Sequence, residues 1–389
     1  MIFDDVITSQ SSTWQNRCTD WRLSSPRSLA SVSRTWCSVV FACPKLWRFV
    51  HLTPTQSLHA LKEQLILSSP LPIHLTVHQW PFRNPIPSSG PFSIVALTAQ
   101  LQSILPPRES QRVESITINA TEASTFLNFV LQTWTGRGSR FPALRHVAMN
   151  GGVRATWSRA CFFEGRDAPG LERLELSNVV IAQDAYRLPW GTGLNLTTLV
   201  WSAPAYKEES LVVPVSYFHR VVSSFPSLTT LELHEHAIGL EFATLENLEE
   251  SDVKPLRHIR DLRLRGRVFS NPQAAYILFY LLPSLKNLAV RGRARSGPLE
   301  LRTVTFALQG LITLPQVLGW PIVLPNVENI EMECVDSCEE WKTWCIRELE
   351  LWRDWGESLA NTGEESNSAR TEMHFVIDKV PTDTMYEDV

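Results

Sequence analysis

A six-residue phrase recurs along this chain, and its apolar residues stand at the first, fourth and sixth places. The clearest copies begin at Leu171, Leu228 and Ile259, and the first of them reads Leu-Glu-Arg-Leu-Glu-Leu. Looser copies begin at Val113, Leu144, Leu196, Leu285 and Val327. The last two apolar places are separated by one residue, which is the period of a β-strand with one buried face. Each phrase therefore predicts a strand.

The spacing of the phrases predicts a repeat architecture. Successive copies begin between 25 residues (171 to 196) and 42 residues (285 to 327) apart, which brackets the unit of an irregular leucine-rich repeat with loop insertions. Helices are predicted between some phrases, at Val215–Phe225, Phe242–Leu248 and Pro272–Leu282. Alternating strands and helices imply parallel strands with helices covering them. We therefore expect an α/β fold, a leucine-rich-repeat-like solenoid with a small helical segment at its N-terminus.

Four prolines stand shortly before predicted strands. They follow Phe141, Phe225, Leu282 and Leu324. Because proline cannot continue a helix and restricts the residue before it, each is predicted to end a helix and lead into the strand in an extended conformation.

The N-terminal region is predicted to be helical. Ser25-Pro26 is a good helix start, and Leu29, Val32, Trp36 and Val39 follow at helical spacing on one face. Pro44 ends this helix and is predicted to open a short second one, whose apolar residues are Leu46, Trp47 and Val50.

The stretch Leu29-Ala-Ser-Val-Ser-Arg-Thr-Trp36-Cys-Ser-Val-Val, followed by Pro44-Lys-Leu-Trp47, resembles the second half of an F-box in its fungal form. Ile2-Phe3 and Val6 match the end of that family's first helix, and residues 8–25 would be an insertion. The family's opening leucine-proline-x-glutamate is missing, so the resemblance is to an F-box truncated at its N-terminus. It covers about residues 2–52. The resemblance implies contacts with an adaptor protein through Ile2, Phe3, Leu29, Val32, Trp36, Leu46 and Trp47.

The resemblance also implies a function. The chain would be the substrate-recognition subunit of a Skp–cullin–F-box type ubiquitin ligase, with the Skp-type adaptor of a cullin–RING ligase as its partner. Two alternatives stay open: a stand-alone repeat scaffold whose N-terminal helices only cap the solenoid, and a hydrolase or metal enzyme on an unusual α/β frame. Exposed apolar residues on the N-terminal helices would favour docking, whereas their full burial would favour a cap.

The charge is unevenly distributed. The net charge is −4, but residues 331–389 hold 16 acidic and 5 basic side chains, a balance of −11, which leaves +7 on the rest. A mildly basic body with an acidic tail does not indicate a nucleic-acid partner. The longest apolar run, Ala274 to Leu282, is too short to span a bilayer. With no secretory signal and seven irregularly spaced cysteines, we expect a cytoplasmic or nuclear protein.

No catalytic, cofactor or metal motif competes with the repeat. Cys334, Cys338 and Cys345 lack the paired spacing of zinc ribbons and are interpreted as structural. His234 and His236 fall on one side of a strand end and could hold a metal, although a solvated loop fits better. No nucleotide-binding or nucleophile motif occurs. We therefore expect no enzyme and no cofactor.

The remaining candidate site is a surface formed by residues between the leucines. They point to the face opposite the core, which in solenoids is the concave binding face. The predicted row is Thr117, Ala148, Glu175, Val200, Glu232, Arg263, Ala289 and Glu331. Arg263, Arg265 and Arg291 make part of this face basic, and guanidinium groups suit carboxylates and phosphates. We expect them to bind an acidic or phosphorylated segment of a target protein; the alternatives are a solvated face or internal pairing with Glu232 and the acidic tail.

Three segments are therefore expected. Residues 1–52 form the F-box-like segment, residues 53–360 the solenoid, and residues 361–389 an acidic tail. A helix at 337–358, with Cys338, Trp341, Cys345, Trp352 and Trp355 on one face, is predicted to cap the last repeat. In the tail, Met373, Phe375 and Ile377 alternate and allow a last strand.

Overall fold

The recurring phrases form one parallel β-sheet. In the computed structural model of the chain, eleven strands lie side by side in sequence order, and every neighbouring pair is parallel. The strands are β1 (Phe49–Leu52), β2 (Ile73–His78), β3 (Val113–Ala120), β4 (His146–Trp157), β5 (Arg173–Ile181), β6 (Thr198–Ser202), β7 (Thr230–His234), β8 (Asp261–Arg265), β9 (Asn287–Arg293), β10 (Asn329–Val335) and β11 (Glu372–Val376). The eight predicted strands are confirmed as β3 to β10.

The helices whose bounds lie within the described residues are short. They are α1 (Pro26–Ala30), α2 (Arg34–Phe41), α3 (Leu58–Leu67), α4 (Ile94–Ser103), α5 (Pro107–Ser110), α6 (Val215–Ser223) and α7 (Pro272–Leu281), with a 3₁₀ helix at Pro44–Trp47. The structure describes residues 26–53, 56–78, 94–104, 106–120, 129–130, 133–134, 140–157, 167–181, 195–202, 215–234, 254–265, 268–269, 272–293, 327–335, 343, 346–347, 350 and 372–376. The predicted helices at 215–225 and 272–282 are confirmed, whereas the one at 242–248 lies outside the described residues.

Two apolar ladders run across the sheet and form its core face. The fourth place of each phrase pairs with the fourth place of the next, as Leu231 does with Leu262, and the sixth places pair in the same way, as Leu233 does with Leu264. Wherever their side chains are described, the residues of these ladders are buried, and buried residues of the helices join the same core cluster. The helices and the sheet therefore form two layers around one apolar core, a solenoid-like α/β arrangement.

The prolines before the strands occupy tight turns. Leu144 N donates to Phe141 O at 3.1 Å, and Leu228 N donates to Phe225 O at 3.0 Å. In each turn the proline is the second of four residues, where its fixed φ favours a β-turn. The prediction of an extended lead-in was therefore wrong for Pro142, Pro226 and Pro283, whereas the proline after Leu324 lies outside the described residues. The turn also explains why the first place of the phrase is apolar, because it directs that leucine side chain into the core.

A second set of hydrogen bonds fixes the register of the strands. Arg145 N donates to Glu114 O at 2.9 Å, and the same bond recurs one repeat at a time until Glu328 N donates to Lys286 O at 2.8 Å. Each donor is the residue directly after the first place of its phrase. These bonds hold the backbone of consecutive turns together just before the strands pair.

The N-terminal helix is divided, contrary to its predicted continuity. Helix α1 ends at Ala30, and Ser33 begins helix α2 by accepting a hydrogen bond from Trp36 N at 3.2 Å. Serine favours such caps because its hydroxyl satisfies an otherwise unpaired N–H group. Of the apolar residues predicted on one helical face, Leu29 consequently lies on α1, Trp36 and Val39 lie on α2, and Val32 lies in the turn between them.

The sheet begins earlier than the sequence indicated. Val50 was predicted on a short helix, but that helix ends at Trp47 and Val50 lies on β1, paired with Leu75 of β2. Trp47, Val50 and Leu52 are thus the three apolar places of an additional phrase. β2 is therefore the second strand of the sheet, and the first strand lies within the segment expected at residues 1–52.

The C-terminal part of the sheet ends in β11, which pairs with β10 through Met373 opposite Ile330. This confirms the last strand that alternating residues allowed. The predicted capping helix falls largely outside the described residues, including its cysteines and tryptophans. Residues 343, 346–347 and 350 are helical and exposed.

The ladder arrangement predicts opposite outcomes for two adjacent residues on β8. Leu262→Ala should lower the free energy of unfolding by about 2–5 kcal/mol, since Leu262 is fully buried in the core. Arg263→Ala, the matched control on the opposite face, should change it by less than about 0.5 kcal/mol. Urea denaturation followed by circular dichroism measures both, and equal losses would contradict the assignment of the two faces.

Candidate interaction surfaces

The first candidate surface lies on the N-terminal helices. Val32, Trp36, Val39 and Phe41 are 67%, 37%, 50% and 39% exposed. We call these four residues the apolar helix surface. They fall within ten consecutive residues, so they form a local concentration of exposed apolar groups, which is uncommon on a monomeric protein unless the surface binds a partner.

A small core supports this surface from behind. Val40, Leu46 and Trp47 are buried together, with Leu29 and Leu67 packed against them. Trp47 Nε1 donates to Val40 O at 2.9 Å, and the rings of Phe41 and Trp47 lie 5.2 Å apart. The buried tryptophan therefore fixes the C-terminal end of α2 against the 3₁₀ helix.

The predicted adaptor contacts divide into three groups. Val32 and Trp36 are on the apolar helix surface, whereas Leu46 and Trp47, 6% and 1% exposed, belong to the core beneath it. Leu29 is partly buried against that core. Ile2 and Phe3 lie outside the described residues.

The second candidate surface is the face of the sheet opposite the core, here called the polar face. Its middle ladder confirms the predicted row, because each residue lies in register with the next. The row also extends beyond the prediction at both ends, with His51 and Thr76 before it and His374 after it. Two further ladders flank the middle one. They are formed by the residues that stand two positions before and two positions after the middle residue on each strand.

A buried carboxylate organises the centre of the polar face. Glu232 on β7 is 2% exposed. His234 Nε2 donates to Glu232 Oε1 at 2.8 Å, Arg265 Nε lies 3.0 Å from the same oxygen, and Arg173 Nη2 lies 3.9 Å from Oε2. Burial alone would raise the pKa of Glu232, but the hydrogen bond from His234 and the charges of Arg265 and Arg173 hold it below its usual value.

Arg173 links this carboxylate to a second one. Its Nε donates to Glu175 Oε1 at 2.6 Å, and His146 Nε2 lies 3.3 Å from that oxygen. Burial would raise the pKa of Glu175, yet its contacts with His146 and Arg173 lower it to about 2. Arg173 is on β5 and reaches across β6 to β7, over Val200, which is 6% exposed. Two carboxylates and two guanidinium groups thus form one charge-balanced network.

The predicted target-binding arginines are placed differently from one another. Arg265 belongs to the network around Glu232, which was one of the alternatives open from the sequence. Arg263, in register with Glu232, is exposed, and among the described residues no ion pair holds it. Arg291 lies beside Arg265 in register on the next strand. Of the two described arginine side chains, Arg263 is therefore the one available to a partner.

The other candidate sites have less support from the structure. His234 is committed to Glu232, and His236 lies outside the described residues. Cys334 is on β10, while Cys338 and Cys345 lie outside the description. Within the described ranges, no group of three or more histidine, cysteine, aspartate or glutamate side chains could hold a metal ion. Among the same residues, no helix is long and apolar enough to cross a membrane.

Sequence reasoning missed two features of these surfaces. Val39 was placed on the helix face and Phe41 was not considered, although both are exposed. Their exposure follows from the break at Ser33, and the serines on either side of Val32 were a signal for it. The pair of histidines on β1 and β2 was also missed, because β1 was not predicted.

Comparisons with known proteins add no family to this description. No protein-family model matches the chain. No curated protein matches it either.

The contacts of Glu175 predict a pH-dependent effect on stability. The folded pKa of about 2 lies below the usual 4.5, so the stabilisation is complete above about pH 4.5 and disappears as the pH falls through 2. Glu175→Gln should therefore lower the free energy of unfolding by about 1–3 kcal/mol at pH 7 and by progressively less in acid. Urea titrations at pH 7, 5 and 3 measure the difference.

The matched control is Glu172→Gln. Glu172 pairs with Arg145 at the surface and its side chain is 51% exposed, so its effect should stay below about 1 kcal/mol at every pH. A Glu175→Gln effect that is as large at pH 3 as at pH 7 would contradict the ion-pair interpretation.

Proposed function

We propose that this chain is the substrate-recognition subunit of a Skp–cullin–F-box type ubiquitin ligase. In this proposal the N-terminal helices dock on the Skp-type adaptor, and the leucine-rich-repeat-like sheet presents its polar face to the protein to be ubiquitylated. The observation that carries the proposal is the apolar helix surface, which coincides with the stretch resembling an F-box.

The exposed residues are suited to a stable interface. Removing apolar area from water is favourable by about 25 cal/mol per Å², and aromatic residues such as Trp36 are enriched among the residues that dominate binding energy. The core formed by Val40, Leu46 and Trp47 holds the helix that carries them. A preorganised surface of this kind loses less conformational entropy when it binds.

The proposed contribution of the chain is proximity. Its residues perform no chemical step, and a bound target lysine is held near a ubiquitin-loaded enzyme in the same complex. Holding two reactants together raises their effective concentration and removes much of the entropic cost of their encounter.

The alternative, a stand-alone repeat scaffold, has an observation in its favour. Trp47 is 1% exposed, and Gln64 of α3 donates to Phe49 O at 2.8 Å, so the helical segment is closely joined to the first strand. A segment that only caps the end of the sheet would be built in this way. It would not require the exposure of Val32 and Val39, which is why docking is the preferred proposal.

Adaptor binding is tested by placing charges on the apolar helix surface. The double substitution Val32→Glu and Val39→Glu should weaken binding to a purified Skp-type adaptor at least about tenfold, equivalent to 1.4 kcal/mol, because the charges would be buried in the interface. Biolayer interferometry with the full chain measures the affinity, and circular dichroism checks the fold.

Ile66→Glu is the matched control for this test. Ile66 is 73% exposed on α3, outside the apolar helix surface, and its substitution should leave adaptor binding unchanged. Undiminished binding by the double variant would rule out docking through this surface. A wild-type chain that never binds the adaptor would favour the stand-alone scaffold.

We further propose that the polar face binds its target through an acidic or phosphorylated segment, with Arg263 as the main contact. Arg263 is exposed beside a network that already balances its own charges. Arginine can bind a carboxylate or phosphate group through two parallel hydrogen bonds. Arg265 would contribute less, because a partner must compete with Glu232 for it.

Capture of targets from a cell extract tests this proposal. Replacing Arg263, Arg265 and Arg291 together with alanine should abolish the capture of the proteins that the wild type retains, and Arg263→Ala alone should cause most of the loss. Quantitative mass spectrometry compares the retained proteins. The control replaces Arg145, Arg257 and Arg260, which are exposed and precede the strands. Equal losses from the two triple variants would show that only total charge matters.

A further inference from the structure

The last strand of the sheet ends in line with the arginines of the polar face. Val376 is the last residue of β11. It belongs to one ladder with the residues in register on the three strands before it, which are Glu333, Arg291 and Arg265. Because these strands are parallel, the chain leaves β11 at the edge of the sheet where β8 and β9 also end. The residues after Val376 therefore start three strands away from Arg263.

A short run of carboxylates follows this strand in the sequence. Residues 383–388, here called the acidic segment, carry Asp383, Glu387 and Asp388 and no basic side chain. They lie outside the described residues. Arg263 is exposed, and among the described residues no ion pair holds it. Since a guanidinium group can bind a carboxylate through two parallel hydrogen bonds, the acidic segment and Arg263 are complementary in charge and in chemistry.

The acidic neighbours of Arg263 on the sheet are already engaged. Asp261, two residues before it, accepts hydrogen bonds from Thr230 and Asn287. Glu232, in register with Arg263, is held by the charge-balanced network of the polar face. Both carboxylates are thus committed to other groups. A carboxylate that pairs with Arg263 has to come from outside the described part of the sheet.

The length of the intervening chain allows the acidic segment to supply this carboxylate. Neighbouring strands lie about 4.8 Å apart and successive residues about 3.3 Å apart along a strand, which places Arg263 about 16 Å from Val376. Asp383 is seven residues after Val376 (376 to 383), and seven extended residues span up to about 23 Å. Asp378 is only two residues after Val376, a span of about 7 Å, so its backbone falls short of β9.

The row that the segment would cross favours a contact on β8. In the middle ladder, Glu331 of β10 and Ala289 of β9 stand between His374 and Arg263. Glu331 repels a carboxylate, whereas Ala289 is small and leaves space beside Arg263. A short tether also raises the effective concentration of the attached group into the millimolar range, which favours contacts that would be weak between separate molecules.

We propose that the acidic segment binds Arg263 within the same chain and thereby competes with an acidic target for the polar face. The competition rests on the proposed function, in which Arg263 is the main target contact, whereas the intramolecular contact does not depend on it. A target would then bind only when it displaces the acidic segment, so the segment would restrict capture to targets that bind Arg263 more strongly.

Neutralising the acidic segment tests the contact. In the variant with Asp383→Asn, Glu387→Gln and Asp388→Asn, phenylglyoxal should modify Arg263 at least about threefold faster than in the wild type, because a guanidinium bound to a carboxylate is less accessible to the reagent. Peptide mass spectrometry of the full chain measures the rate at each arginine. Arg257, which is exposed and precedes β8, should react at the same rate in both proteins and shows that the fold is unchanged.

The matched control removes the same number of charges from other positions, through Glu364→Gln, Glu365→Gln and Asp378→Asn. Glu364 and Glu365 precede β11, which begins at the opposite edge of the sheet, and Asp378 is too close to Val376. The rate at Arg263 should stay at its wild-type value in this control. At about 0.5 M NaCl the difference between the wild type and the neutralised variant should disappear, because exposed ion pairs are screened.

Equal modification of Arg263 in the wild type and the neutralised variant would overturn the proposal. An equal acceleration in the control variant would also overturn it, since only the net charge would then matter, and so would an acceleration that persists at high salt. Target capture separates this inference from the proposed function. Faster modification of Arg263 together with unchanged capture would support the intramolecular contact and contradict the role of Arg263 in target binding.

Discussion

The pairing of apolar ladders on one face of the sheet is the interaction on which the remaining structure depends. A strand in this arrangement contacts only its two neighbours, so the core is assembled one repeat at a time. A shift of one residue would turn the apolar side chains to solvent and bring the charges into the core. The proline turns and the backbone bonds between consecutive turns prevent this shift, because they fix where each strand begins.

Much of this architecture could be predicted from the sequence because it depends on local patterns. The apolar positions of the recurring phrase predicted the strands β3 to β10. The alternation of buried and exposed residues along each strand predicted the middle ladder from Thr117 to Glu331. Parallel order in the sheet follows once strands and helices alternate. The first strand was missed because Trp47, at the first place of its phrase, had been assigned to a short helix together with Val50.

The two surfaces were harder to predict because they depend on relations between elements. Serine at position 33 caps α2, so the predicted single helix is two, and Val32 lies exposed in the turn between them. On the polar face, the sequence indicated three similar arginines. Only the distances across strands show that Arg265 is engaged by Glu232 while Arg263 is exposed. Such differences depend on how far side chains extend from β8 to β7, and no periodic pattern in the sequence indicates this.

The first strand gives the two proposed surfaces a fixed relation. Trp47 packs against the end of α2 and lies two residues before β1, and Gln64 donates to Trp47 O and Phe49 O, so α3 is bound to the same junction. A helical segment joined in this way cannot swing freely relative to the sheet. In a ligase of the proposed kind, a target on the polar face would then be held at a defined distance from the adaptor. Proximity increases rate only when the distance and orientation of the reacting groups are restricted. The buried junction at Trp47 is therefore as important to the proposed function as the exposed residues that it supports.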